Sequence, residues 1–210
     1  MSDRTPFLKE NIRKEMLRKR SELSRSSVES AAHCLQDFLY TLLHSEQIKQ
    51  PLPSQNELTV MSYMSFQKEF PTRYFNEYLL SLGIRLLLPL TDRDFIIHAF
   101  AVDDLSDLKI SAMGIAEPDP RKCRAASCEE PDLIIVPGVA FDRTGGRIGF
   151  GKGCYDRFLA GRKRPVTLAG AAYAFQVTDF SLPKAPNDIP MDLIVTENGI
   201  LRCKKVAFGD

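Results

Sequence analysis

No uninterrupted apolar run in these 210 residues approaches the roughly 20 needed to span a bilayer as a helix, so a membrane-spanning helix is excluded. The opening residues, MSDRTPFLKENIRKEM, lack the apolar core of a secretory signal, and a cytoplasmic protein is expected. Neither sign of charge is in excess: 28 Lys and Arg face 27 Asp and Glu. That balance argues against a partner recruited by bulk charge, so neither nucleic acid nor an anionic membrane is expected. The five cysteines (Cys34, Cys123, Cys128, Cys154, Cys203) are scattered, without C-x-x-C pairs or a nearby histidine. Neither a disulfide framework nor a zinc site follows from them. What is present is a chain with 44% hydrophobic residues, long enough to bury a sizeable core, and one domain over residues 1–210 is expected.

The apolar pattern alternates between helical and strand periods. Leu8, Ile12 and Met16 recur at helical spacing among many charges, predicting an exposed amphipathic helix over residues 7–22. A second helix, capped by Ser26 or Ser27, would turn Val28, Ala31, Leu35, Phe38, Leu39 and Leu42 to one face. The segments LTVMSYM, IRLLLP, FIIHAFAV, DLIIVPGVAF and VTLAGAAY read as strands, and MDLIVTENGILRC brings a last buried one. Residues 71–82 read as a helix ended by Gly83, and residues 153–160 as a short helix. The segment GIAEPDPRKCRAASCEEP is loop by composition. Strands alternating with helices predict an α/β fold: a mixed, mostly parallel sheet flanked by helices, with an N-terminal helical pair.

One absence bears on chemistry. In GGRIGFGKGCYDRF, residues 146–159, Gly146, Gly151 and Lys152 keep the spacing of G-x-x-x-x-G-K-[ST], but Gly153 replaces the Ser or Thr that would hold Mg²⁺. The missing hydroxyl argues against a P-loop kinase or NTPase. The rest still suits an anion. Gly149, Gly151 and Gly153 alternate, letting backbone N–H groups approach a ligand, and a helix N-terminus follows with its partial positive charge. Arg147 and Lys152 add full charges, and Asp156 in the first helical turn is placed to take over the metal. The same glycines also suit a plain hairpin turn, with Asp156 merely complementing the helix dipole. Lys9 and Arg13, four residues apart, either grip phosphate oxygens together or belong to a solvated basic face. Glu69 reads as a strand-end carboxylate ahead of a helix, either a binding acid or a surface cap. Asp188 and Asp192 flank IPM and are candidate metal ligands or strand-edge polar groups. Met64 and Met113 read as core or pocket wall.

The run DLIIVPGVAFDRTGGRIGFGKGCYDRFL resembles the signature of the 5-formyltetrahydrofolate cyclo-ligase family, also called 5,10-methenyltetrahydrofolate synthetases. KENIRKEMLRKRSELS, YMSFQKEFPT, GIAEP and NDIPMDLIVTE fall in the family's order, so the resemblance spans nearly the whole chain. It implies ATP- and Mg²⁺-dependent closure of 5-formyltetrahydrofolate to 5,10-methenyltetrahydrofolate, by phosphorylation of the formyl oxygen and ring closure by N10. By resemblance, Lys9, Arg13 and the loop Arg147, Ile148, Gly149, Phe150, Gly151, Lys152, Gly153, Cys154 and Tyr155 bind ATP, with Lys152 and Arg147 catalytic. Asp156 and Asp192 match the magnesium carboxylates. Glu69 matches the acid that holds the folate, and Met64 with Phe150, Gly151, Lys152, Gly153 and Cys154 lines the same pocket. The expected partners are therefore 5-formyltetrahydrofolate and ATP, with the chain a monomer or weak dimer. Three positions depart from the pattern: Cys154-Tyr155 replaces two tyrosines, Phe-Pro-Thr follows Glu69 without the usual acid, and Met113 stands where some members carry an aromatic. The alternatives are a non-catalytic folate or nucleotide binder and a P-loop-like kinase or NTPase.

Overall fold

The computed structural model describes residues 5–44, 53–55 and 57–204. Its helices are α1 (Thr5–Ser21), α2 (Arg25–Ser30), α3 (Cys34–His44), α4 (Arg73–Ser81) and α5 (Cys154–Ala160). The central strands are β1 (Thr59–Met61), β2 (Arg85–Thr91), β3 (Ile97–Val102), β6 (Arg124–Ala126), β7 (Leu133–Pro137), β10 (Thr167–Ala171), β12 (Leu193–Thr196) and β13 (Gly199–Arg202). They form one sheet in the order β13-β12-β10-β7-β1-β2-β3-β6. The five strands from β12 to β2 are mutually parallel, and antiparallel strands flank them, β13 at one edge and β3 with β6 at the other. Two small ladders complete the chain: β4 (Leu108–Ile110) with β5 (Ala116–Pro118), and β8 (Ala140–Asp142) between β9 (Arg147–Ile148) and β11 (Val177–Thr178).

Successive strand side chains point to opposite faces, and the core divides accordingly. Val60, Leu86, Leu88, Leu133, Ile135, Ala169 and Val195 pack with Leu35, Leu39, Phe75 and Leu79 of α3 and α4. Met61, Leu87, Ile134, Val136, Leu168 and Ile194 pack on the other face with Leu159 of α5. Both faces are covered, as a parallel sheet requires.

The second predicted helix is two. Ser24, rather than Ser26 or Ser27, caps α2 by accepting from the Ser27 N–H, and a turn over residues 31–33 separates α2 from α3. DLIIVPGVAF is likewise broken after Pro137, because Gly138 lets the Phe141 ring fold back against the backbone where any Cβ would collide with it. The segment read as loop by composition holds β5 and β6, both paired only to neighbouring hairpin strands. Met113 is not core; it is 68% exposed. α1 is also less exposed than its charges suggest: Met16 and Arg20 are buried while Leu8 faces solvent. Met16 packs with Val139, Ala140, Ile148 and Leu182, and this docks α1 over β8 and β9, beside the glycine loop.

Candidate active site

The loop is built around one acid. Asp142 is buried, and its Oδ1 accepts from Thr144 N at 2.8 Å and Gly146 N at 2.9 Å while Oδ2 accepts from Leu182 N at 2.8 Å. Burial alone would raise its pKa, but the Thr144 hydroxyl and these N–H groups outweigh burial and hold it below the ordinary value. The turn after β8 is thereby fixed, and at Gly145 (φ +87°) a Cβ would run into the Met191 carbonyl. Further on, Gly151 and Gly153 have φ of +95° and +65°. Gly153 is the N-cap of α5, so a Thr there would be strained as well as absent. The hydroxyl-less variant of the loop thus follows from its backbone.

The cations predicted from the sequence converge on this loop. Arg13 donates from Nε to the Gly149 carbonyl at 2.8 Å and also pairs with Glu10. Lys9, one turn earlier, pairs with Asp188. Arg147, only 6% exposed, donates from Nη2 to Asp156 Oδ1 at 2.8 Å, and the Ile189 N–H reaches the same oxygen at 3.3 Å. Lys9 therefore pairs with Asp188, and Arg147 with an acid that the next backbone N–H, that of Ile189, also reaches. Lys152 is exposed, its ammonium 4.6 Å from the centre of the Phe95 ring. Two buried groups here lack any hydrogen-bond partner: Arg147 Nε and the Tyr155 hydroxyl, whose ring lies 5.9 Å from the Arg147 guanidinium carbon.

The carboxylates do not assemble into a metal cluster. Among the described residues no group of three or more His, Cys, Asp or Glu could hold an ion. Asp156 has both its contacts on Oδ1, whereas Asp192 Oδ2 accepts from the Leu168 N–H at 3.0 Å, at the start of β10. Asp188, beside Lys9, also accepts from Ala185 N. A hard cation bridging to phosphate needs only one or two protein carboxylates, so Asp156 fits that role as placed.

The second half of the site lies across Tyr155. Glu69 Oε2 accepts from the Phe66 N–H at 3.0 Å, and the turn carrying it places Gln67 at φ +53°. Burial pushes the Glu69 carboxyl above the ordinary range, against the pull of the Phe66 N–H and the Arg20 charge. Burial, then the Glu69 charge, raises the Tyr155 phenol. Burial likewise raises Tyr173 to about 12; its hydroxyl donates to the Glu69 carbonyl at 3.3 Å. Met64 borders this pocket through its sulfur, which accepts from Asn76 Nδ2 at 3.3 Å; Asn76 is fully buried with its Oδ1 unpartnered. Phe150 is half exposed, with the Arg20 guanidinium 5.3 Å from its ring centre.

Arg20, Asn76, Tyr173 and Asp142 were not singled out from the sequence. Arg20 had a signal: it follows Arg13 by seven residues, two turns along one face. Asp142 had one too, in the Asp-x-Thr-Gly-Gly order of an Asx turn. Asn76 and Tyr173 had none, because their place depends on long-range packing.

Residues 7–197 match the family model described as 5-formyltetrahydrofolate cyclo-ligase family. The chain belongs to that family. A 5-formyltetrahydrofolate cyclo-ligase of Mycolicibacterium smegmatis is 27% identical over 91% of this chain and 95% of that protein. The Escherichia coli K12 protein of the same name is 31% identical over 68% of the chain and 79% of its own length. A mitochondrial cyclo-ligase of Arabidopsis thaliana is 34% identical, but the match spans 46% of that protein. In structure, the Aquifex aeolicus 5,10-methenyltetrahydrofolate synthetase superposes with a TM-score of 0.74 at 32% identity, covering 97% of this chain and 96% of that one. The Mycoplasma pneumoniae synthetase gives 0.67 at 26% identity, over 89% and 97%. The relatives' names are those of ligases, and family membership makes this chain an enzyme of that class.

Proposed function

We propose that this cyclo-ligase converts 5-formyltetrahydrofolate to 5,10-methenyltetrahydrofolate with ATP, releasing ADP and phosphate. The observation that carries the reading is the pair of buried, unpartnered donors, Arg147 Nε and the Tyr155 hydroxyl, placed between a cation-lined glycine loop and the Glu69 pocket. Unpaired buried donors are costly, and an anionic ligand would satisfy them.

A formamide oxygen is a poor leaving group. In the proposed sequence it attacks the γ-phosphorus as the bond to ADP breaks; N10 then adds to the formyl carbon, loses its proton, and phosphate departs with the C–O bond. The first step needs in-line placement and charge neutralisation rather than a covalent enzyme nucleophile. Arg13 fixes the loop through Gly149, while Lys9, Arg147 and Lys152 supply the positive charge. Glu69 holds the pterin through N–H groups, beside Met64, Phe150 and Cys154. Mg²⁺, when bound, supplies neutralisation of phosphate charge, with Asp156 as a ligand and Asp192 the second carboxylate of the reading.

Ultraviolet absorbance at the methenyl band, followed with and without ATP, tests substrate and nucleotide together. ATP hydrolysis at full rate without folate would instead favour the kinase or NTPase alternative. Asp156→Asn, Asp188→Asn and Asp192→Asn separate the metal roles. A raised Mg²⁺ requirement is expected for the first and last; sensitivity at Asp188 with a silent Asp192 would move the second ligand four residues upstream.

A further inference from the structure

The tip of the β2–β3 hairpin, which the proposed mechanism does not use, reaches the glycine loop. Phe95 sits there at φ +60°, a conformation uncommon for a bulky residue. Asp92 holds the turn: its Oδ1 accepts from Asp94 N and Ile96 N, both at 2.9 Å, and its backbone pairs with Phe95 and Ile96. Two contacts join this tip to the loop. Arg157 of α5 donates from Nη2 to the Phe95 carbonyl at 2.7 Å and from Nη1 to the Lys152 carbonyl at 2.8 Å. The Lys152 ammonium lies over the Phe95 ring.

Lys152 stands between two glycines at left-handed φ, so it has much backbone and side-chain freedom to lose when a ligand binds. Lys9 and Arg147 are already oriented by ion pairs with Asp188 and Asp156, whereas Lys152 is oriented by the hairpin tip. An aromatic face orients a cation without neutralising it. We propose that the hairpin tip is a positioning element of the nucleotide site, in which Phe95 and Arg157 hold the Lys152 ammonium ready for an ATP phosphate. This rests on the assignment of Lys152 to ATP, and the benefit is preorganisation: ordering made before binding is not charged against affinity.

Phe95→Gly isolates the ring, because glycine adopts φ +60° freely and leaves the carbonyl to Arg157. A rise of about two- to fivefold in KM for ATP is expected, the range of an exposed cation–π contact. KM for 5-formyltetrahydrofolate and the melting temperature should hold. Phe95→Tyr should restore the wild-type value, Arg157→Gln should move KM for ATP in the same direction, and Phe95→Gly should add nothing in a Lys152→Met background. An unchanged KM for ATP in Phe95→Gly overturns the inference, as does an equal rise in both KM values or a loss that tyrosine does not rescue. If Lys152→Met itself leaves turnover intact, the nucleotide reading fails first, and separately.

Discussion

Among the described residues, arginines and carboxylates meet both in a cleft at one end of the sheet and at the glycine loop, and the two places differ in what they offer a ligand. Beneath the starts of β1, β2 and β7 a cleft of about 530 Å³ is lined by Pro53, Glu57, Thr59, Arg85, Glu130, Asp132 and Arg164. Its charged groups face one another. Arg85 binds Glu130 at 2.7 Å, Arg164 binds Asp132 at 2.5 Å, and Asp132 also accepts from Thr59 N at 3.0 Å. Arg162 behind it keeps one bond, to the Pro131 carbonyl, while its Nε and Nη1 are buried without partners, and burial lowers its pKa against the pull of Glu129. At the glycine loop the charges are equally dense, but Arg147 Nε and the Tyr155 hydroxyl are left without partners beside glycines that expose their backbone. The cleft has volume; the chemistry is at the loop. Both places hold unpaired buried donors, so what sets the loop apart is that its donors stand beside glycine backbone, Lys152 and the first turn of α5, a combination suited to a phosphate.

The sharpest way to break this contrast is to remove one cation from each place. Lys152→Ala should lower kcat/KM about a hundredfold, the scale of losing one charge-assisted contact to a transferring phosphoryl group, about 3 kcal/mol. Arg85→Ala removes a solvent-screened pair worth about 0–1 kcal/mol of stability, and kcat/KM should stay within about twofold of wild type. Steady-state kinetics on both variants decides it. Equal losses would make the cleft part of the site, and a silent Lys152→Ala would remove that residue from the mechanism.

The two places were not equally legible in the sequence. The loop is local: glycines at alternate positions, an acid in the first helical turn and two cations at i and i+4 on α1 can be read without knowing the fold. The mostly parallel sheet was legible too, since strand and helix periods alternate plainly. Glu69, Tyr155, Tyr173 and Asn76 come from distant segments, and their shared burial appears only when β1, α4 and α5 pack. The family resemblance supplied Glu69 and Met64; it did not supply Asn76 or Arg20. The splits at residues 31–33 and at Gly138 were missed because apolar content ran on across the break, although Pro-Gly was a warning.

Glu69 sharpens the contrast from the folate side. Its burial raises its pKa, so the folded protein holds the proton more tightly than the unfolded chain. The stability it lends is full below the ordinary glutamate value and is lost as pH rises through the raised folded value. Glu69→Gln abolishes that titration. The variant should melt higher than wild type at neutral pH, with the gap narrowing in acid, while its KM for 5-formyltetrahydrofolate rises about tenfold or more through loss of a charged hydrogen-bond acceptor. Melting curves across pH and folate kinetics are the two readouts. A variant less stable than wild type at neutral pH would show that the carboxylate is structural.

Asp132 offers the reverse case in the cleft, a buried acid whose work is to tie β1 to β7. Asp132→Asn weakens the bonds to Arg164 and Thr59 N and should cost about 1–3 kcal/mol, lowering the melting temperature by several degrees. Activity at a permissive temperature should be unchanged. A shift in either KM would place the cleft in communication with the loop.

The smallest expected effect lies at Cys154, where the family resemblance leads to a tyrosine. Cys154 opens α5 half-buried, packed against the cluster of Met61, Ile134 and Leu159, next to the Tyr155 that faces Arg147. A tyrosine ring there would cover apolar pterin or aminobenzoyl surface that a thiol cannot reach. Aromatic pairing is worth about 0.5–1.5 kcal/mol beyond burial, so Cys154→Tyr should tighten 5-formyltetrahydrofolate by a few-fold to about tenfold. ATP affinity should change less, since in the proposed site the phosphates are met by backbone groups and cations rather than by this side chain. The competing force is overpacking: a ring forced into a close-packed interior costs about 1–3 kcal/mol and would shift the start of α5. Dissociation constants for both ligands distinguish the outcomes. Tighter folate with steady ATP means that the ring projects into the pocket. Weaker binding of both means that it displaces α5 and with it Tyr155 and Asp156, so that the thiol here is a packing requirement of this chain.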